Sequence, residues 1–457
     1  MDRTEELVEE LRNIVGEEYV LTKPEQVIPY VRDASYIRGE MPLAVVLPGS
    51  ADEISRVLRL SSENDVPVYV RGGGTSLTGS SVPLGGIVLS TLRLDRIIEV
   101  NVRDRYVIAE AGVRLRDLSY ELSRYGYMYL PDPASEIAAT VGGSISTNAG
   151  GLRGARYGTT KDWVLGLEVV LPDGTVTWFG EKTLKRSAGY DLASLMVGSE
   201  GTLGVITKAI LKIAPAERPE ALLMAFYDTY DTISEAISGL NERGAVPIMA
   251  EFLDRSSMEA LGPQGLRYPE RAESLLIIMT ADRTEEVAEA LKGTGPIEIR
   301  TFRESREIED VLRMRRGLYS SLLTQRKRPD ETIIIGDVVV PPSRISKALR
   351  EIQGASRESG LRVAVFGHIG DGNIHLNVFA SPDEMGAAED LLRRTAEIAI
   401  RNDGCVSAEH GIGLEKRELL LLECSIRNTC VNVELMKSIK RAFDPRNILN
   451  RGKLFVD

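Results

Sequence analysis

Histidine is nearly absent from this chain: three imidazoles serve 457 residues. Cysteine is as scarce, with only Cys405, Cys424 and Cys430. They form no CxxC pair, and three thiolates fall short of the roughly four that hold an iron–sulfur cluster, so the chain alone builds none. An odd count of cysteines also suits a reducing compartment. No apolar run approaches the roughly 18 residues that cross a bilayer. The opening stretch, MDRTEELVEELRNIVGEE, is a charged amphipathic helix without the basic-then-apolar layout of a secretion signal. A basic excess is missing too, and a net charge of −11 argues against nucleic acid or an anionic membrane as the main partner. Together these absences predict a cytoplasmic protein with no transmembrane segment.

What is present is a mixed α/β pattern too long for one ordinary domain. PLAVVLP (42–48) reads as a buried strand. Ser50 with Glu53 gives a capping-box start to a helix with Ile54, Val57, Leu58 and Leu60 on one face. VPVYVRGGGTSLTG (66–79) is a strand that runs into a glycine-rich loop. VLGLEVVLPDGTVTWFG is a hairpin around Pro-Asp-Gly. From Ala221 onward strands alternate with amphipathic helices, the rhythm of a split β-α-β sheet with helices on one face. The residues after Cys405 are mainly helical. The expected division is 1–215, 216–404 and 405–457.

Three stretches in the first 215 residues are rich in small residues. Arg71-Gly72-Gly73-Gly74-Thr75-Ser76, continuing to Gly79, follows a strand. Consecutive glycines let backbone N–H groups turn inward and cradle a phosphate. The spacing is neither GxGxxG nor a Walker loop, and alone it reads more often as a flexible turn. It is joined by PDPASEIAATVGGSISTNAGG (131–151) and GSEGTLGVIT (198–207). Three such stretches suit an extended dinucleotide better than a single phosphate.

The histidines then stand out. His368 and His375 flank Ile-Gly-Asp-Gly-Asn-Ile, a strong turn signal, and His410 follows Glu409 in SAEHGIG. A hairpin centred on this turn sets His368 opposite His375, with Cβ atoms about 4.5–5.5 Å apart. Two imidazoles so placed can share one divalent metal, with Glu409 as a third ligand and an open position for substrate. The alternative is two histidines that are neighbours without a ligand.

The order of RGGGTSLTG, PDPAS…TVGGSISTNAGG, GYDLASLMVGSEGTLGVIT, GHIGDGNIHLN and SAEHGIGLEKR resembles the FAD-linked oxidases of the vanillyl-alcohol oxidase/p-cresol methylhydroxylase type. Within them it is similar to the D-2-hydroxyacid dehydrogenase branch, which includes D-lactate dehydrogenases and the flavin subunit of glycolate oxidase. The resemblance covers nearly the whole chain. It implies an α+β fold: a two-subdomain FAD-binding domain, a ferredoxin-like split β-α-β cap domain for substrate, and a C-terminal helical segment that returns to the FAD domain.

The resemblance also implies roles. Arg71, Gly72, Gly73, Gly74, Thr75, Ser76 and Gly79 would hold the FAD pyrophosphate. Pro131, Asp132, Ala134, Ser135, Gly142, Gly143, Ser146 and Asn148 would line the isoalloxazine and ribityl. Glu200, Gly201, Gly204 and Ile206 would close on the adenine side, and Asn450 would return to the flavin. No histidine precedes His368, so the flavin is expected to be non-covalent. His368, His375 and Glu409 would bind a divalent metal, zinc or manganese by ligand type, with His410 as the catalytic base. The exchanged roles, His410 as ligand and Glu409 as base, stay open at this level. Arg315 would clamp the substrate carboxylate. Tyr319, one helical turn on, and Asn377, on the sheet face of His375, would assist.

The expected activity is oxidation of a D-2-hydroxy acid to the 2-oxo acid. Relatives that oxidise 2-hydroxyglutarate carry a lysine for its second carboxylate where this chain has Ile335, which favours a monocarboxylate: lactate, glycolate or a longer 2-hydroxy acid. The family's NPGK is NRGK here, at Asn450–Lys453. Expected partners are the small acid and an electron acceptor drawn from a quinone, an electron-transfer flavoprotein or an iron–sulfur subunit; the oligomeric state stays open, with a homodimer as one option. The competing readings are an FAD-binding electron-transfer subunit without its own substrate and a metal-dependent hydrolase acting on a nucleotide.

Overall fold

The computed structural model describes residues 3–456. The chain folds as two compact units, Met1–Gly150 with Thr159–Ala216 and Glu409–Asp457, and Gly151–Gly158 with Glu217–Ala408. This division differs from the expected one in sending 151–158 and 405–408 to the second unit. Residues 409–457 belong with the N-terminal 150.

In the first unit a four-stranded sheet has the order Val20–Leu21, Ala44–Val46, Ile87–Ser90, Val68–Arg71. Its last three strands are parallel. Parallel strands need crossovers; the helix Ala51–Glu63 carries the chain from Ala44–Val46 to the far edge strand Val68–Arg71, and Ser50 Oγ accepts from Glu53 N at 3.1 Å as the capping pattern predicts. Glu53 Oε2 in return accepts from Gly49 N at 2.7 Å, one residue earlier than in a standard capping box. A five-stranded antiparallel sheet follows, ordered Ile97–Asn101, Tyr106–Glu110, Val205–Lys212, Val164–Val170, Val176–Gly180. The last two strands are the Pro-Asp-Gly hairpin, with Val170 opposite Val176.

The second unit is built on seven antiparallel strands in the order Glu298–Phe302, Ala221–Tyr227, Ser274–Thr280, Met249–Asp254, Arg362–Gly367, Asn373–Ala380, Thr332–Val339. Helices cover both faces, not the single face expected. The reason is written in the strands: ALLMAFY and SLLIIMT are apolar without alternation, and every residue in them is buried. On one face Met224, Phe226, Leu253, Ile277 and Phe366 pack under Met258, Leu261, Ile308, Leu312 and Leu318. On the other, Gly336 of the edge strand lies against Leu392 of the helix Met385–Arg401.

Two local expectations change. The helix through Arg315 ends at Arg316, and a second one, Leu318–Thr324, starts after Gly317. Tyr319 therefore does not continue the turn of Arg315, and burial raises its phenol pKa. Cys424 and Cys430 are joined as a disulfide between the helices Arg417–Arg427 and Cys430–Phe443. Asn428, with φ +56°, turns the chain so that the two Cα atoms lie 4.7 Å apart. Cys405 lies outside this disulfide. Among the described residues no helix is long and apolar enough to cross a membrane.

Candidate active site

The glycine-rich loop leaves the strand Val68–Arg71, and no helix follows it directly. Among the described residues, no acceptor takes the backbone N–H groups of Gly72 through Leu77. Six successive uncommitted donors fit an anionic pyrophosphate, which needs such N–H groups. The loop is held from behind. A Cβ on Gly73 would fall 2.0 Å from Ala138 O, so the second small-residue stretch presses directly on its backbone. Ser76 Oγ accepts from Thr78 N and Ser80 N, both at 3.2 Å, and closes the loop toward Gly79. Arg71 folds back over Gly74, and burial lowers its guanidinium pKa.

The 131–151 stretch divides. Pro131, Asp132, Ala134 and Ser135 precede a short helix, Val141–Thr147, that contains Gly142, Gly143 and Ser146. Two adjacent glycines disfavour a helix; here Thr140 Oγ1 caps it by accepting from Gly143 N at 3.2 Å. Asn148 ends it in the left-handed region (φ +52°), with its Oδ1 accepting from Thr159 Oγ1 and Lys161 N.

Several residues expected around the flavin also carry the frame. Glu200 is buried, and its carboxylate accepts from Ser80 Oγ (2.6 Å), Ile412 N (2.7 Å) and Gly413 N (2.8 Å). Burial pushes this carboxyl above its usual range against those hydrogen bonds. Asn450 accepts from Val70 N at 2.8 Å and donates to Glu200 O, and Gly201 packs on its amide. Ile206 joins the core under the five-stranded sheet, and Gly204 packs against Val169. Lys453 of the NRGK stretch donates to Gly79 O and Val82 O, and burial lowers its pKa to about 7. Thr78 Oγ1 donates to His410 O at 3.1 Å. The far end of the glycine loop thus holds the turn that carries His410, whose Nε2 lies 3.6 Å from Glu409 Oε1.

In the second unit the histidine hairpin is slipped from the expected register. Phe366, not His368, stands opposite His375. The loop closes through Asn373 N donating to His368 O at 3.2 Å. Gly372 has φ +88°, and a Cβ there would overlap Val340 O. The slip is two residues, so it preserves the face of every side chain. His368 becomes the diagonal neighbour of His375, and the rings meet edge to face with centroids 5.3 Å apart. Both are buried. Asn377, on the same face, is fully buried and donates to Ala364 O at 3.2 Å. Ile335 pairs with it across the ladder.

Two carboxylates here escaped the sequence reading. Asp337 stands opposite His375 in the ladder, with Oδ1 3.6 Å from His375 Nδ1. It accepts from Asn373 Nδ2 (2.8 Å), Ser407 Oγ (3.2 Å) and Ala408 N (3.1 Å). Glu251 is fully buried between Arg315 and His368. Arg315 is itself buried, stacks on Phe366 at 4.8 Å, and gives Nε and Nη2 to Glu251. Charged residues inside apolar strands such as MAEFLD are the only signal that could have found them, since lone buried carboxylates need partners. Two near-perpendicular buried imidazoles with carboxylates behind them are a donor set suited to a divalent cation.

Two family models match the chain: the FAD binding domain over residues 42–180 and the C-terminal domain of FAD linked oxidases over residues 216–454. The chain is 35% identical to glycolate oxidase subunit GlcD from Bacillus subtilis (strain 168) over 465 residues, covering 99% of this chain and 97% of that protein. It is 37% identical to a D-lactate dehydrogenase from Archaeoglobus fulgidus over 428 residues, 91% and 92% of the two chains. Its fold is similar to that of p-cresol methylhydroxylase, with a TM-score of 0.82 at 17% identity over 100% of this chain and 98% of the other.

Proposed function

Since the chain belongs to the FAD-linked oxidases, we propose that it oxidises a D-2-hydroxy monocarboxylate, of the lactate or glycolate type, to the 2-oxo acid. The observation that carries this reading is the buried Arg315 guanidinium, joined through Glu251 to the imidazole of His368. A carboxylate receptor and a cation-binding ring on one frame match the two adjacent oxygen functions of a 2-hydroxy acid. FAD would lie on the N–H groups of Gly72–Leu77, without a covalent link. A divalent cation, zinc or manganese by its ligands, would be held by His368, His375 and Glu409. Glu409 directly follows Ala408, whose N–H is tied to Asp337, the ladder partner of His375.

Bound FAD supplies the two-electron acceptor for the hydride that leaves C2, and a bound cation polarises the C2 hydroxyl. Arg315 offers the substrate carboxylate the edge that Glu251 does not use. His410 takes the hydroxyl proton as the C2–O bond becomes a carbonyl. Ile335 gives no cation to a second carboxylate. An external acceptor such as a quinone, an electron-transfer flavoprotein or an iron–sulfur subunit would take up the electrons. The reading places the protein in the cytoplasm.

The test is an anaerobic visible spectrum of the flavin- and metal-loaded protein. D-lactate or glycolate is expected to bleach the flavin band at about 450 nm, while L-lactate leaves it unchanged. Chelation should slow the bleaching and added Mn²⁺ or Zn²⁺ should restore it. A loaded flavin that no 2-hydroxy acid bleaches would sink the proposal.

A further inference from the structure

Glu251 sits in the middle of the strand Met249–Asp254 with no exposed surface. Its oxygens are divided between two receivers. Oε2 accepts from Arg315 Nε at 2.8 Å and forms an ion pair with Nη2 at 2.5 Å. Oε1 lies 2.7 Å from His368 Nδ1. Charge balance alone explains the first contact, because a buried guanidinium needs a counter-charge. It does not explain the second. A carboxylate only accepts hydrogen bonds, so the contact with His368 selects the tautomer with hydrogen on Nδ1, the form in which Nε2 has ligand character. The same carboxylate occupies the Nε/Nη2 edge of Arg315, and stacking on Phe366 fixes the guanidinium plane.

We propose that Glu251 is the positioning residue of this site. It sets the tautomer and direction of His368 and the presented edge of Arg315 through one rigid strand carboxylate. The receptor for the substrate hydroxyl side and the receptor for its carboxylate are thereby tied to one carboxylate. The inference rests on the reading above, in which His368 is a metal ligand and Arg315 the carboxylate clamp.

The scarcity of histidine makes the test direct. With three imidazoles in the chain, ¹⁵N-histidine labelling of the FAD-loaded, metal-free protein at mildly alkaline pH gives three nitrogen pairs, and His368→Gln assigns one. Wild type is expected to show His368 in the Nδ1–H form. In Glu251→Gln the amide cannot accept from both the imidazole and the guanidinium, so His368 moves toward the Nε2–H form. Direct titration of that variant with MnCl₂ or ZnCl₂ should show affinity weakened about 10–100-fold, and KM for D-lactate at saturating metal should rise. Glu251→Asp keeps the charge with a shorter reach and should recover part of both. His368 in the Nε2–H form in wild type would overturn the proposal. So would a Gln variant with unchanged tautomer, metal affinity and KM. If Glu251→Gln does not fold, the wild-type tautomer and the Asp variant decide. A wild type with the expected tautomer that binds neither ion overturns the metal reading and leaves the orienting of His368 by Glu251 standing.

Discussion

Arg315 serves two ends at once, and that makes its variants informative. Its side chain is 7% exposed and its partner Glu251 is fully buried. Arg315→Met leaves a carboxylate buried without its counter-charge, so unfolding by denaturant should show a loss of about 3–5 kcal/mol together with loss of turnover. Arg315→Lys keeps the charge without the planar fork. It should fold, but with kcat/KM lowered roughly 100-fold or more, since a bidentate site does not accept lysine as an equivalent. The double variant Arg315→Met, Glu251→Leu should recover most of the stability and none of the activity. Recovery of activity in that variant would remove Arg315 from the site. At this scale the histidines stood out in the sequence by their rarity, whereas Arg315 was singled out only by the family resemblance. Glu251 and Asp337 could not, because a carboxylate between apolar strand residues carries no motif, and its partners lie 64 and 38 residues away along the chain.

Backbone elements, not side chains, make the proposed cofactor site. The clearest test is Gly73→Ala. The added methyl meets the carbonyl of Ala138, which is backbone and cannot swing aside. The loop must then move off the 138–140 segment, and its row of N–H donors loses its aim. The variant is expected to purify with little flavin, read as a lower ratio of visible to ultraviolet absorbance, with its fold retained by circular dichroism. Full flavin occupancy would argue that the pyrophosphate lies elsewhere. The histidine hairpin teaches a related lesson. Turn chemistry predicted a reversal at Gly-Asp-Gly-Asn, but the exact pairing depended on Gly372 fitting against Val340. A two-residue slip conserves faces, so the meeting of His368 and His375 survived an error in register.

For the whole molecule, three cysteines, two of them in a disulfide, leave no set of ligands for a cluster. One flavin is then the only redox centre the proposed mechanism provides. Under anaerobic conditions without an added acceptor, about one equivalent of 2-oxo acid should form per flavin and turnover should stop; an artificial acceptor should restart it. Continued anaerobic turnover would reveal a second acceptor site.

The sequence by itself determined the succession of strands and helices, the glycine loops, the proximity of two histidines and the family, because these follow from local periodicity, turn residues and motif order. Only the tertiary structure decided that helices cover both faces of the seven-stranded sheet, that Glu200, Asn450 and Lys453 tie the glycine loop to the C-terminal residues, and that Glu251 joins Arg315 to His368. Each of these is a choice of partner for a buried polar or apolar surface. Such a choice depends on which distant segments meet, and a chain read residue by residue does not contain that information in any local pattern.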